Sequence, residues 1–200
     1  MAKVKLTKNE LKRQREALAR FTRYLPTLQL KKQQLRMEIN KVNHKIEGVK
    51  KAVFDFEKEV DEWVDLFGED VDMERLIKVK TIANEKGNVA GREIPVYKGV
   101  DFIEEKYDLY KVPLWVDAGI KALKKILEFK GELLVLEKQR DILNEELRIT
   151  AQRVNLFEKV KIPQAEESIR VIRIFLGDLF TVDVVRGKIA KAKLAKNQNN

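Results

Sequence analysis

The chain has 200 residues, of which 36% are charged and 44% hydrophobic, with nine glycines, four prolines and no cysteine. A mixture so rich in Lys, Glu, Leu and Ile excludes a compact β-protein and points to long helices and coiled coils, and its hydrophobic content excludes a disordered chain. Without cysteine there is no disulfide framework, no thiolate metal site and no cysteine nucleophile.

The first residues hold no apolar run, so no secretory signal is expected, and no apolar stretch approaches the ~20 residues needed to cross a bilayer. The expected location is the cytoplasm, with any membrane association made only through a partner. The net charge is +9, and its placement is uneven. Met1 to Arg36 holds eleven Lys and Arg against two Glu, and Arg186 to Asn200 holds five Lys and Arg and no acid, so the stretch between is net negative. If the two ends lie side by side they form one basic tip suited to an acidic protein surface or to nucleic acid. No base-stacking aromatics are interleaved with the basic residues, which favours protein and argues against nucleic acid.

In chain order, residues 1–67 read as one coiled-coil helix. Steps of three and four from Leu11 land on Gln14, Leu18, Phe21, Leu25, Leu28, Lys32, Leu35, Ile39 and Val42. They continue through Ile46, Val49, Val53, Phe56, Val60, Trp63 and Phe67. Only Gln14 and Lys32 interrupt this apolar seam, and 3.5-residue spacing keeps such a seam against a partner helix. At ~1.5 Å per residue the helix would be about 90 Å long. Pro26 lacks the amide for a backbone bond and should kink or break it; Gly48 lowers helix propensity and suggests close packing. His44, the one histidine, lies in the polar stretch Asn43-His44-Lys45 and reads as a solvated helix-face residue.

Residues 68–113 read as a middle insertion. Leu76 to Ile82 alternates apolar and polar, the pattern of a half-buried strand. Asn84 to Gly91 is turn-rich, and Arg92 to Tyr97 is a return strand that Pro95 keeps at an edge. A loop with Tyr97, Phe102, Tyr107, Tyr110 and Trp115 should follow, its aromatics covering the hairpin or a partner surface.

Residues 114–200 read as a second coiled-coil helix with a basic tail. Its seam is Ile126, Phe129, Leu133, Leu136, Arg140, Leu143, Leu147, Thr150, Val154 and Phe157. Past Ile162-Pro163 the seam resumes one residue out of phase as Ala165, Ile169, Ile172, Leu176 and Leu179, and a slip of this kind locally rewinds a coiled coil. The fold expected is mainly α: a long antiparallel two-helix coiled coil with a small β-hairpin insertion at its far end or along its flank. A domain-swapped or parallel dimer satisfies the same seam.

No catalytic, cofactor or metal site emerges. The Gly-x-x-x-x-Gly-Lys-[Ser/Thr] run that wraps phosphates is missing, and Gly87 and Gly91 read as turn glycines. The acidic runs Glu57 to Glu62 and Gly68 to Asp72 lack the ligand spacing of an EF-hand. Asp141, Glu145 and Glu146 resemble paired carboxylates but have no expected pocket. An enzyme is therefore not expected; a scaffold or nucleic-acid-associated coiled coil is the alternative, and it predicts salt-sensitive nucleic-acid binding.

One motif is specific. Arg153-Val-Asn-Leu-Phe-Glu158 followed by Ile162-Pro163-Gln-Ala-Glu-Glu-Ser-Ile169 resembles the C-terminal signature of the D subunit of V/A-type rotary ATPases, an Arg-Val-Asn-Ala-Leu-Glu run before Ile-Pro. Leu6-Thr-Lys8 is similar to that family's Pro-Thr-Lys start, and Arg23, Leu28, Lys31 and Leu35 fall in its Leu-Leu-Lys-rich helix. Tyr24-Leu25-Pro26-Thr27 departs from a Gly-His-like pair, and no acidic Glu-Arg-Glu run follows Asp183, which resembles a divergent bacterial branch. The resemblance implies a non-catalytic rotor axle. Its paired termini would enter a head of catalytic A and B subunits, and its lower part would bind the small F subunit of the stalk and the funnel-like subunit on the membrane ring. It implies no cofactor and no metal. The expected partner-contact residues are Arg153, Asn155, Arg186, Lys188 and Lys191.

Overall fold

The computed structural model describes residues 4–61, 76–105 and 113–198, with side chains described as far as Leu194. Trp63, Phe67, the Gly68 to Asp72 acidic run, Tyr107 and Tyr110 lie outside the described residues. The elements are α1 (Lys8–Asp61), β1 (Ile77–Val89), β2 (Arg92–Glu104), α2 (Val116–Leu156), a π-helical turn (Phe157–Lys161) and α3 (Ile162–Gln198). They form two compact units, Lys31–Ile149 and Met1–Leu30 with Thr150–Asn200.

α1 starts where the Thr7 hydroxyl accepts the Glu10 amide at 3.3 Å, satisfying one of the free donors of a helix start. Pro26 does not break the helix, which runs unbroken from Lys8 to Asp61. Pro26 and Thr22, whose carbonyl loses its amide partner, are both exposed, so the missing bond falls away from the seam. Every described seam position of α1, from Leu11 to Val60, is buried or half-buried, as burial of one helical stripe requires.

In the unit Lys31–Ile149, α1 and α2 pair antiparallel. Lys31 bonds Glu146 at 2.7 Å, and the Phe56 and Phe129 rings meet edge-on with centroids 6.4 Å apart. Leu35, Ile39, Val42 and Ile46 of α1 join Leu136 and Leu143 of α2 in one core. Ile94 of β2 belongs to the same core, so the hairpin lies along the flank of the helix pair.

β1 and β2 are antiparallel, registered from Ile77 opposite Glu104 to Val89 opposite Arg92, with irregularities between Val79 and Thr81 and between Ala83 and Asn84. The strands are longer than the sequence suggested, and only Ala90 and Gly91 form the turn. Both have positive φ, 51° and 80°, the two-residue geometry that matches strand twist. Asn84 to Val89 pairs in the ladder with Arg92 to Tyr97, and two exposed ion pairs cross it, Glu85 with Lys98 at 2.8 Å and Lys86 with Glu93 at 3.6 Å. Gly87 is thus a strand residue; a Cβ there would stand 2.7 Å from Val96 Cγ2.

Three contacts seat β2 on α2. The Gln139 amide donates to the Pro95 carbonyl, the Tyr97 hydroxyl donates to the Glu128 carbonyl at 3.2 Å, and Lys124 pairs with Glu104 at 2.7 Å. Tyr97 and Phe102 belong to β2, not to a following loop. Phe102 and Trp115 close a second core around Ile77, Val116 and Ile120. At Gly131 of α2 a Cβ would lie 2.9 Å from Val100 Cγ2, so close hairpin–helix packing uses this glycine. Gly48, by contrast, faces open space and is no packing residue.

In the unit Met1–Leu30 with Thr150–Asn200, Phe21 packs on Phe157 with centroids 5.1 Å apart. The one-residue phase slip is the π-helical turn itself: the Ile162 amide reaches back to the Phe157 carbonyl, a five-residue step that inserts one residue into the helix. Thr150 and Val154 before it and Ala165, Ile169 and Ile172 after it are all buried, so the inserted residue keeps both stretches on one face.

The seam stops earlier than Leu179. Leu176 is the last half-buried residue, and every described residue from Gly177 to Leu194 is exposed. Phe21 meets Phe157, α1 begins at Lys8 and Leu176 is the last half-buried position of α3, so antiparallel pairing runs out by Leu176. The final ~20 residues of α3 extend past the start of α1 by roughly 30 Å. Val4 and Lys5 line a groove with Lys161 and Ser168 and do not accompany that tail. The two basic chain ends are therefore staggered along α3.

Candidate interaction surfaces

The residues expected to contact partners fall in two places. Arg153 and Asn155 are exposed in the last turn of α2, flanking the buried Val154. Arg186, Lys188 and Lys191 are exposed on the α3 tail, where Arg186 lies 3.9 Å from Asp183. About 33 residues of near-continuous helix separate Arg153 from Arg186, or ~50 Å, so the structure does not bring them into one cluster.

The tail carries a feature that charge counting missed. Leu179, Phe180, Val182, Val185, Ile189 and Leu194 are exposed, Phe180 to 71%. They alternate with Arg186, Lys188, Lys191 and Lys193 along a stretch of α3 that stays exposed among the described residues. An apolar surface of this extent marks a site of protein contact. The seam reading takes Leu179 as a paired position, because periodicity reports a face and not the presence of its partner.

A second surface lies between α1 and α3. Residues 15, 18, 19, 22 and 23 face residues 166, 169, 170, 173 and 174 across an open groove of about 930 Å³. Arg15, Arg23, Arg170 and Arg173 stand on its walls, over a floor that includes Leu18 and Ile169. Glu167 accepts a two-pronged bond from Arg170, at 2.8 and 2.7 Å, which holds its carboxyl below the usual range. Of these four arginines the sequence singled out only Arg23, and that for the family resemblance; the i, i+3, i+4, i+7, i+8 spacing of the lining positions on each helix is the available signal.

The remaining candidates do no chemistry together. Asp141 and Glu145 line a shallow groove of about 490 Å³ on α2, contrary to the expectation of no pocket, but each carboxylate is engaged by arginine. Asp141 lies 3.2 Å from Arg140 and Glu145 lies 2.6 Å from Arg148. The Arg148 hydrogen bond holds the Glu145 carboxyl below its ordinary value, and Glu146 points instead to Lys31. Burial, and then the charges of Glu128 and Glu132, push the Tyr97 hydroxyl up, consistent with its service as a neutral donor. His44 is exposed, 3.8 Å from Glu47. Among the described residues no group of three or more His, Asp or Glu could hold a metal ion, and no helix is long and apolar enough to cross a membrane.

The chain is a paired-helix protein with a hairpin docked on the flank of one of its two units. Its sequence matches the family model for the ATP synthase D subunit over residues 10–192. It is 48% identical to the D subunit of the V-type ATP synthase of Borreliella burgdorferi, over 100% of this chain and 99% of that one. It is 36% identical to the D subunit of the V-type ATP synthase of Chlamydia pneumoniae, over 96% and 93% of the two chains. The chain belongs to the ATP synthase D-subunit family, in its V/A-type bacterial branch.

Proposed function

We propose that the chain is the central stalk subunit of a V/A-type rotary ATPase and acts as its rotor axle, carrying torque between the catalytic head and the membrane ring without catalysing a reaction itself. The observation that carries this reading is the family match, which extends over both long helices and the hairpin. The geometry adds physical sense. Two helices zipped along a seam resist twisting better than one. An axle without symmetry touches each catalytic site of a surrounding head differently, and only such differential contact can bias sites into different conformations.

In this reading the α3 tail and its neighbouring basic surface sit inside a head built from A and B subunits. The unit Lys31–Ile149, with its hairpin, meets the small F subunit and the funnel-like subunit above the ring. The complex lies on the cytoplasmic face, and this chain reaches the membrane only through those partners. Arg153, Asn155, Arg186, Lys188 and Lys191 contribute to the contacts, each weakly because each is exposed; neutralising the four cations should impair assembly or coupled hydrolysis. The test is purification of the tagged chain from its host in mild detergent with subunit stoichiometry determined. One copy with three pairs of head subunits supports the axle; a free dimer, or nucleic acid released by salt, overturns it.

A further inference from the structure

We propose that residues 177–187 of α3 are a conditional helix, which keeps its helical form only while a protein partner encloses it and opens to an extended segment when the chain stands alone. The inference rests on the axle reading only for the identity of the enclosing partner, the head; the behaviour of the free chain follows from this stretch by itself.

The paired part of α3 and this stretch differ in what holds them helical. Ala165, Ile169 and Ile172 are buried, and packing of that kind supplies most helical stability in a protein. Every described residue from Gly177 to Leu194 is exposed, so here local propensity would have to suffice. The residues present do not provide it. The stretch Gly177-Asp-Leu-Phe-Thr-Val-Asp-Val-Val-Arg-Gly187 begins and ends on the residue that loses most conformational entropy in a helix. A Cβ at either glycine would meet nothing within 4 Å, so close packing accounts for neither. Between them Thr181, Val182, Val184 and Val185 are β-branched, a class that loses side-chain freedom in a helix and fits a strand better. The local side-chain bonds add little. The Thr181 hydroxyl donates to the Gly177 carbonyl at 3.1 Å, a back-bond that slightly destabilises a helix. Arg186 lies 3.9 Å from Asp183 with both side chains exposed, where an ion pair contributes weakly. At about 100° per residue, Leu179, Phe180, Val182, Val184 and Val185 point to all sides of the helix. A helix apolar all round is one that is buried, and removing this surface from water supplies what propensity lacks, so enclosure and helix formation occur together.

Hydrogen exchange read by mass spectrometry tests this on the full chain alone and on the complex purified from its host. In the free chain, amides 179–186 should exchange nearly as fast as those of an unstructured peptide, while amides 165–172 are slowed about a hundredfold or more. In the complex, amides 179–186 should slow by about tenfold or more. Gly177→Ala together with Gly187→Ala, which the open space at both sites accommodates, should slow the free segment severalfold; Gly48→Ala should leave it unchanged. Three results overturn the conditional helix and leave the axle in place: free-chain protection of 179–186 equal to that of 165–172, no effect of the paired alanines, or no gain in a complex that contains the head. A gain in a complex that lacks head subunits overturns the axle reading and leaves the conditional helix in place.

Discussion

Glycines in α1 and α2 allow the docking of the hairpin to be measured against an internal control. Alanine at Gly48 meets nothing within 4 Å, whereas alanine at Gly131 would place its Cβ 2.9 Å from Val100 Cγ2. In a helix interior, alanine is favoured over glycine by ~1 kcal/mol, so Gly48→Ala should stabilise by roughly that amount. At Gly131 the same gain is opposed by overpacking. The contact must open by about half an ångström, against a β-branched side chain with little rotamer freedom, and overpacking of this kind costs ~1–3 kcal/mol. Gly131→Ala should therefore be neutral to ~2 kcal/mol destabilising, about 2 kcal/mol worse than its control. Replacing Val100 by alanine removes the clashing methyl, so in that background Gly131→Ala should stabilise by ~1 kcal/mol. Urea unfolding followed by far-UV circular dichroism reads all of these changes as midpoint shifts. If Gly131→Ala stabilises the unaltered chain as much as Gly48→Ala does, the hairpin does not lie on α2 as described.

Three further outcomes follow from the geometry. Ala90 has φ 51°, a left-handed conformation that asparagine tolerates far better, so Ala90→Asn should raise stability by ~1 kcal/mol; a lower melting midpoint would contradict the turn assignment. Deleting Val160 converts the π-helical turn into an ordinary helical one and restores a continuous heptad, so it should change stability by no more than ~1 kcal/mol. Deleting Ala151 rotates the stretch between it and the turn off the seam and should cost several times more, and equal melting of the two deletions would refute the inserted residue. Arginine bonds lower the Glu145 and Glu167 carboxyls, so each pair favours the fold above the ordinary carboxylate range and loses that contribution as pH falls through the depressed value. Carboxyl NMR titration should place both midpoints below the ordinary glutamate value, and Arg148→Gln should raise only that of Glu145.

The seam was legible because burial of a helical stripe imposes a period that survives in Leu11 to Val60 whatever the partner is. The phase slip after Phe157 was also legible, and the structure shows it as a five-residue hydrogen bond just before Pro163. Pro26 does not break the helix as one of the two expected outcomes had it: its missing bond lies on an exposed face, so the helix continues. The hairpin's ends were illegible because Asn84 to Gly87 carry turn-forming residues, and the backbone pairing that takes them into the ladder is set by register across strands. Gly131 was not singled out in the sequence, since a close approach is visible only once Val100 faces it. The groove arginines and the apolar tail share one difficulty. Sequence reports which face a residue occupies, but the 15–23 and 166–174 stretches become neighbours, and the tail becomes unpartnered, only when the pairing register is known.

The chain's lack of cysteine permits the most direct test of the axle. A single Lys86→Cys, on the exposed face of the hairpin, would carry the one thiol of this chain, to which a bead or gold rod is attached with the head complex fixed to glass. The account predicts ATP-driven rotation of the probe in one direction. A probe that stays still relative to the head, in complexes shown by phosphate release to be hydrolysing ATP, would contradict it.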